Sequence, residues 1–83
     1  AQITGLIVHL KPGCWITERM ISHVNYDESV FLLQGELELH MDTRVYRIRQ
    51  GDSFYVPQNT LHNYLNLSGE EAVCLVYFSK LIY

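Results

Sequence analysis

The amino-acid sequence predicts a single all-β domain, built as a small antiparallel β-barrel or a β-sandwich. Short apolar segments recur along the whole chain, and clusters of turn-forming residues separate them. No window has the periodicity of a long amphipathic helix. Regular short strands at this spacing are typical of barrels and sandwiches.

The apolar segments give eight candidate strands, and a glycine, proline, asparagine or aspartate lies in most of the turns between them. The predicted strands are Ile3–Leu10, Trp15–Ile21, Ser29–Leu33, Glu36–Met41, Arg44–Arg49, Ser53–Val56, His62–Leu67 and Glu71–Ser79. Because side chains alternate between the two faces of a strand, each segment should direct every second residue into the core.

A two-residue turn at Asp42 and Thr43 predicts the register of one hairpin. It places four pairs of residues opposite each other: Leu39 and Tyr46, Leu37 and Ile48, Glu38 and Arg47, Glu36 and Arg49. The last two pairs join opposite charges, which contribute about 0.2–1 kcal/mol each. The arginines therefore have a structural explanation, and His40, on the same outward face as the glutamates, is predicted to be a surface histidine.

Length and charge exclude several classes of function. The chain has 83 residues, of which 48% are hydrophobic and 18% charged, as expected for one ordinary domain. A net charge of −3 and a pI near 5.7 provide no basic surface for nucleic acid. The longest apolar run, Ala72–Phe78, is far shorter than the roughly 20 residues that span a bilayer, so no membrane role is expected.

The two cysteines, Cys14 and Cys74, lack the close spacing of a metal-binding pair. We expect both to be reduced thiols, and the location to be cytoplasmic. A domain of this length buries only about 60% of the surface of its unfolded chain, so a partner surface would help to stabilise it. We therefore expect a homodimer.

The segment from Gly51 to Asn66 contains a recognisable motif. It resembles the second motif of the cupin family, G-x(5)-P-x-G-x(2)-H-x(3)-N, at Gly51, Pro57, His62 and Asn66. Asn59 replaces the second glycine of that motif. Asparagine tolerates the left-handed backbone conformation better than other non-glycine residues, so the turn should be kept.

An earlier segment resembles the first cupin motif, G-x(5)-H-x-H-x(3,4)-E-x(6)-G. His23 matches the second histidine, Glu28 the glutamate and Gly35 the closing glycine. The first histidine is replaced by Ile21, and the stretch from Gly13 to Ile21 is two residues longer than the pattern. The resemblance implies that residues 1–83 form a single cupin domain, a double-stranded β-helix of the jelly-roll type.

The resemblance also implies an interior metal site. The surviving donors are His23, Glu28 and His62, a set that suits one divalent ion such as iron, manganese, zinc or nickel. A cupin that has lost one histidine can instead keep its barrel as a metal-free pocket. In that case His62 would be a hydrogen-bonded core histidine, and Glu28 would pair with His23 or with a tyrosine hydroxyl. The sequence is compatible with both alternatives.

Strand alternation extends the candidate site beyond these donors. If His62 points inward, Tyr64 and Asn66 are expected to do the same, since they lie two and four residues further along the chain. Trp15 is a further candidate for the lining of the pocket. The resulting interior, mostly apolar with few polar groups, suits a small organic ligand. We therefore predict ligand binding by Tyr64, Asn66 and Trp15.

The leading functional hypothesis is a small-molecule-binding domain. The strand that ends in Pro12-Gly13 and the opening Gly51-Asp52-Ser53 resemble the sensory cupin domains of transcription regulators. In such proteins a separate helix-turn-helix segment binds DNA. A chain that begins with Ala1 rather than methionine fits an excised domain of this kind.

Two alternatives belong to other classes. One is a metal-dependent cupin enzyme, such as a dioxygenase, isomerase or lyase that acts on a small organic acid or sugar derivative. In that case His23, Glu28 and His62 hold the metal ion and Tyr64 serves as acid or base. The other is a stand-alone dimeric binding or storage protein.

Overall fold

The computed structural model describes residues 2–20, 22 and 26–80, apart from the side chains of residues 2–4 and 80. The described residues form seven strands: β1 (Gln2–Leu10), β2 (Tyr26–Gln34), β3 (Glu36–Met41), β4 (Arg44–Arg49), β5 (Ser53–Val56), β6 (His62–Leu65) and β7 (Ala72–Lys80). They include no helix, so the all-β prediction is confirmed. Accordingly, this part of the chain has no helix long and apolar enough to cross a membrane.

The strands form two antiparallel sheets that face each other. One sheet has the order β1-β7-β2-β5 and the other the order β4-β3-β6. The core lies between the sheets because alternate residues of each strand point inward, as Val30 and Leu32 do on β2. The buried apolar side chains are Leu10, Val30, Leu32, Leu37, Leu39, Ile48, Val56, Tyr64, Ala72, Cys74 and Val76.

The β3–β4 hairpin has the predicted register at all four predicted pairs. Asp42 has a positive φ of 53°, which lets the two-residue turn close. His40 lies on the outer face, as predicted, and its Nε2 is 3.0 Å from Glu38 Oε1. The edge of its ring packs against Trp15, with 4.8 Å between the ring centroids.

The predicted strand Trp15–Ile21 is wrong over the residues that the structure describes. Trp15 makes only an isolated bridge to Leu65, and the chain then bends away. The side-chain amide of Asn63 takes the place of a partner strand. Its Oδ1 accepts from the Thr17 amide at 3.2 Å, and its Nδ2 donates to the Thr17 carbonyl at 2.9 Å. These contacts satisfy the backbone without a ladder, so the segment is a loop that covers β6.

Two turns depend on left-handed backbone conformations. Asn59 has a φ of 62°, which confirms the reading of Asn59 as a substitute for glycine. Gly35, between β2 and β3, has a φ of 86°. A Cβ at Gly35 would lie 3.0 Å from the Glu71 carbonyl oxygen and 3.1 Å from the Ala72 Cα, so only glycine fits this position without a shift of the backbone.

The outer face of the four-stranded sheet is apolar at its centre. Register places Ile7, Leu75 and Phe31 side by side across β1, β7 and β2, with Tyr77 and Tyr55 in the next row. Of these five side chains, four are exposed and Leu75 is half-buried. A contiguous exposed apolar patch of this kind is typical of a protein–protein interface.

We expect a second copy of the chain to cover this apolar face, because the domain is small and the face is uncharged at its centre. Sedimentation equilibrium should give a dimer for the wild-type chain and a monomer for Phe31→Lys, since each copy would bury a lysine. Val45→Lys, on the outer face of the other sheet, should stay dimeric. A wild-type chain that sediments as a monomer at micromolar concentration would contradict this expectation.

Candidate functional site

A cavity of about 170 Å³ lies between the two sheets. Its apolar lining comes mainly from β1 and β7, and its polar lining from β2, β6 and the loop after β1. The lining residues are Leu6, Val8, Ile16, Thr17, Glu28, His62, Asn63, Tyr64, Val76 and Phe78. Leu6 is 45% exposed although it points toward the cavity, so the cavity opens to solvent beside β1.

Glu28 is the acidic group inside this cavity. It lies on β2 opposite Phe78 and Val56 and is only 3% exposed. A carboxylate removed from water must receive hydrogen bonds, or its burial is very costly. The hydroxyl of Tyr64, on the opposite sheet, donates such a bond to Glu28 Oε2. This contact joins the two sheets through a polar interaction.

His62 is the second ionisable group at the same place. It is 2% exposed, and its Nδ1 is 2.8 Å from the Thr60 carbonyl oxygen. Because a carbonyl oxygen only accepts, Nδ1 carries the proton of the neutral ring, and Nε2 is left with a lone pair. Nε2 lies 3.3 Å from Glu28 Oε2. Two acceptors at this distance favour a positive charge at Nε2, either a proton or a metal ion.

The pKa values of these groups follow from burial and from the charge of Glu28. Burial is the largest single influence on His62 and lowers its pKa, but the hydrogen bonds to Glu28 and Thr60 and the Glu28 charge outweigh it, so the net pKa is raised. Burial, followed by the charge of Glu28, raises the pKa of the Tyr64 hydroxyl. The same two causes raise the pKa of the Cys74 thiol from 9.0 to about 11.

The raised pKa of Cys74 predicts a loss of stability in alkali. Below about pH 9 the thiol is protonated in both states; between pH 9 and about 11 the unfolded chain loses its proton first, so the free energy of unfolding falls. We expect Cys74→Ala to lose about 2 kcal/mol less than wild type over this range. Urea denaturation at about pH 8 and about pH 11 measures the difference. If the free energy of unfolding depends on pH identically in both proteins, the Cys74 thiol is not the source of the alkaline loss of stability.

The three predicted metal ligands are only partly described by the structure. Glu28 and His62 lie together inside the barrel, with Tyr64 beside them, whereas His23 lies outside the described residues. Within residues 2–20, 22 and 26–80, no cluster of three or more histidine, cysteine, aspartate or glutamate side chains could hold a metal ion. The described part of the site is therefore a pair of donors with a tyrosine.

Asn66 and Trp15, predicted as ligand-binding residues, do not line this cavity. The amide of Asn66 is fully used by the chain itself. Its Nδ2 donates to the Leu10 and Glu70 carbonyls at 2.9 and 2.7 Å, and its Oδ1 accepts from the amide and hydroxyl of Ser68. Trp15 lies on the outer face of the three-stranded sheet, against His40. Their predicted part in ligand binding stays a prediction.

Sequence reasoning missed most of the apolar lining. Leu6, Val8, Val76 and Phe78 form one inward face of two adjacent strands. Alternation within β1 and β7 could have grouped them, because both strands were predicted. No sequence pattern assigned Ile16 to the cavity, because the sequence predicts a strand where the structure has a loop. Ile16 reaches the cavity because its amide donates to the Tyr64 carbonyl at 3.0 Å.

Comparison with known proteins agrees with this architecture. The family model described as a cupin domain, Cupin_2, matches residues 6–78. A protein named polyketide synthase CurC from Streptomyces cyaneus is 29% identical over 77 residues, which are 93% of this chain and 48% of that protein.

Two solved structures are similar in both sequence and fold. One is a sugar phosphate isomerase of the cupin superfamily from Silicibacter pomeroyi, with 26% identity and a TM-score of 0.85 over 98% of this chain and 52% of the other. The second is a putative sugar phosphate isomerase from Acidithiobacillus ferrooxidans, with 29% identity and a TM-score of 0.82 over the same shares. The chain thus spans about half the length of these relatives.

Proposed function

This chain belongs to the cupin family, and we propose that it binds a small organic ligand in the cavity between its two sheets. The observation that carries the proposal is the group formed by Glu28, His62 and Tyr64, which lies buried at one side of an otherwise apolar cavity. Ligand sites typically combine a mostly apolar lining with a few polar groups that fix orientation.

The size and opening of the cavity support the same proposal. A closed apolar cavity of about 150 Å³ is large enough to bind benzene. The cavity here is slightly larger and opens to solvent beside Leu6. A ligand with one ring or a short branched chain could therefore enter it and reach the hydroxyl of Tyr64.

A sensory role in a transcription regulator is the finer form of this proposal. It is supported by the resemblance of the strand ending in Pro12-Gly13 and of the Gly51-Asp52-Ser53 turn to such sensory domains. The complete reading frame would then carry a helix-turn-helix segment, and the protein would act in the cytoplasm. If the complete reading frame has no DNA-binding segment, the sensory role is ruled out and the proposal of ligand binding still stands.

The geometry of His62 favours a second candidate function, that of a metal-dependent enzyme. The Thr60 carbonyl holds the Nδ1 proton, so the Nε2 lone pair is directed toward Glu28. Fixing of the other ring nitrogen by a carbonyl is how histidine metal ligands are usually oriented. Glu28 and His62 fit a divalent ion, with His23 as the third proposed donor. Such an ion would act as a Lewis acid on a substrate oxygen.

Ligand binding is tested with a library of single-ring compounds and NMR spectra of the labelled chain. We expect binders to shift the backbone amides of β6 and those of Val76 and Phe78. Val8→Phe should abolish these shifts, because the larger side chain fills part of the cavity, whereas His9→Phe, on the opposite face of β1, should leave them unchanged. Shifts confined to residues outside the cavity would contradict the proposal.

Metal binding is tested by elemental analysis of protein purified without chelators or a histidine tag. The enzyme candidate predicts a single iron, manganese, zinc or nickel ion per chain in the wild type, which is lost in His62→Ala. His40→Ala is the matched control, because His40 lies on the outer face of the barrel and should have no effect. If neither the wild type nor His62→Ala contains metal, the chain is not a metal-dependent enzyme of this kind.

A further inference from the structure

We infer that the ligand of this cavity is uncharged, with an apolar body about the size of one ring and a hydroxyl group, rather than a phosphorylated sugar. The inference rests on the proposed ligand binding and narrows its chemical class. It follows from the distribution of charge and of apolar side chains around the cavity.

The wall nearest the opening is apolar. Leu6 on β1 pairs with Val76 on β7, and Phe78 follows on the same inward face. Ile16 adds a further apolar side chain to the lining. A charged group that passes this apolar wall must give up water without receiving hydrogen bonds in return, which is strongly unfavourable. An apolar ring meets no such penalty.

Basic side chains lie elsewhere among those that the structure describes. Arg44, Arg47 and Arg49 are exposed on β4, in the other sheet, and the last two lie opposite Glu38 and Glu36. Lys11 and Arg19 are exposed in the loop that follows β1. No described lysine or arginine side chain is part of the cavity lining. A phosphate group would therefore find no positively charged side chain of these to bind.

The acidic group of the cavity is Glu28, and its carboxylate balances the positive charge that is favoured at His62 Nε2. The carboxylate of Glu28 is buried there, with Tyr64 and His62 as its neighbours. A phosphate dianion would be repelled by Glu28, and in a buried setting this repulsion is poorly screened. A neutral hydroxyl, by contrast, can donate to the Glu28 carboxylate, which accepts more than one hydrogen bond. The polar group of the cavity thus selects a hydroxyl.

The test compares phenol, toluene and phenyl phosphate, which share one ring and differ in a single substituent. Each is titrated into the labelled chain in buffer with EDTA, so that no metal ion supplies a positive charge, and amide shifts of β6 and of Val76 are followed by NMR. We expect phenol to bind with a millimolar Kd and more tightly than toluene. Phenyl phosphate should bind at least about tenfold more weakly than phenol, a difference of about 1.4 kcal/mol.

A charge placed at the rim should reverse this preference. In Leu6→Lys the new ammonium group lies at the opening, so phenyl phosphate should bind more tightly than to wild type while phenol binds more weakly. Val45→Lys adds the same charge on the outer face of the three-stranded sheet, away from the cavity and from the apolar face of β1, β7 and β2, and should leave both affinities unchanged. This pair of variants separates a charge inside the site from a general change in net charge.

The outcomes distinguish a failure of the inference about ligand class from a failure of the proposed ligand binding. Phenyl phosphate that binds wild type as tightly as phenol, with the same cavity amides shifted, overturns the inference and leaves ligand binding in place. Toluene that binds as tightly as phenol overturns the selection of a hydroxyl. If none of the three compounds shifts the cavity amides, and the library test also finds no binder there, the proposed function fails together with the inference.

Discussion

The burial of one carboxylate is the constraint on which the interior of this barrel depends. Glu28 lies on the four-stranded sheet, and its polar neighbours His62 and Tyr64 lie on the other sheet. Because a buried carboxylate is stable only when donors surround it, the two sheets must keep the spacing and register that bring β6 over β2. The apolar core supplies most of the stability, and this contact fixes how the sheets face each other.

The same contact explains why the cavity is chemically one-sided. Glu28 on β2 and His62 and Tyr64 on β6 form the polar side of the cavity. The other side is formed by apolar side chains of β1 and β7, such as Val76 and Phe78. In the proposed function, a ligand would cover the apolar wall and offer a hydrogen-bonding group to the polar side. In that function, the positive charge favoured at His62 Nε2 would link ligand binding to protonation or metal binding at one atom.

Two asparagine side chains hold the loop that supplies Ile16 and Thr17 to the cavity lining. Asn63 binds the backbone of Thr17, and Asn66 binds the Leu10 carbonyl at the end of β1. The loop after β1 therefore lies along β6 without forming a strand, which brings Ile16 to the cavity lining. Side-chain amides can replace a strand partner because they carry the same donor and acceptor as the backbone.

The sequence by itself determined the strand pattern and the local geometry. Alternation predicted that His62 and Tyr64 share an inward face, and turn chemistry predicted the register of the Asp42 hairpin, because both depend on neighbours in the chain. Only the tertiary structure decided that the Asn66 side chain hydrogen-bonds within the chain, that Trp15 lies outside the barrel and that His62 Nε2 faces Glu28. These outcomes depend on contacts between residues distant in sequence, which periodicity and spacing do not encode.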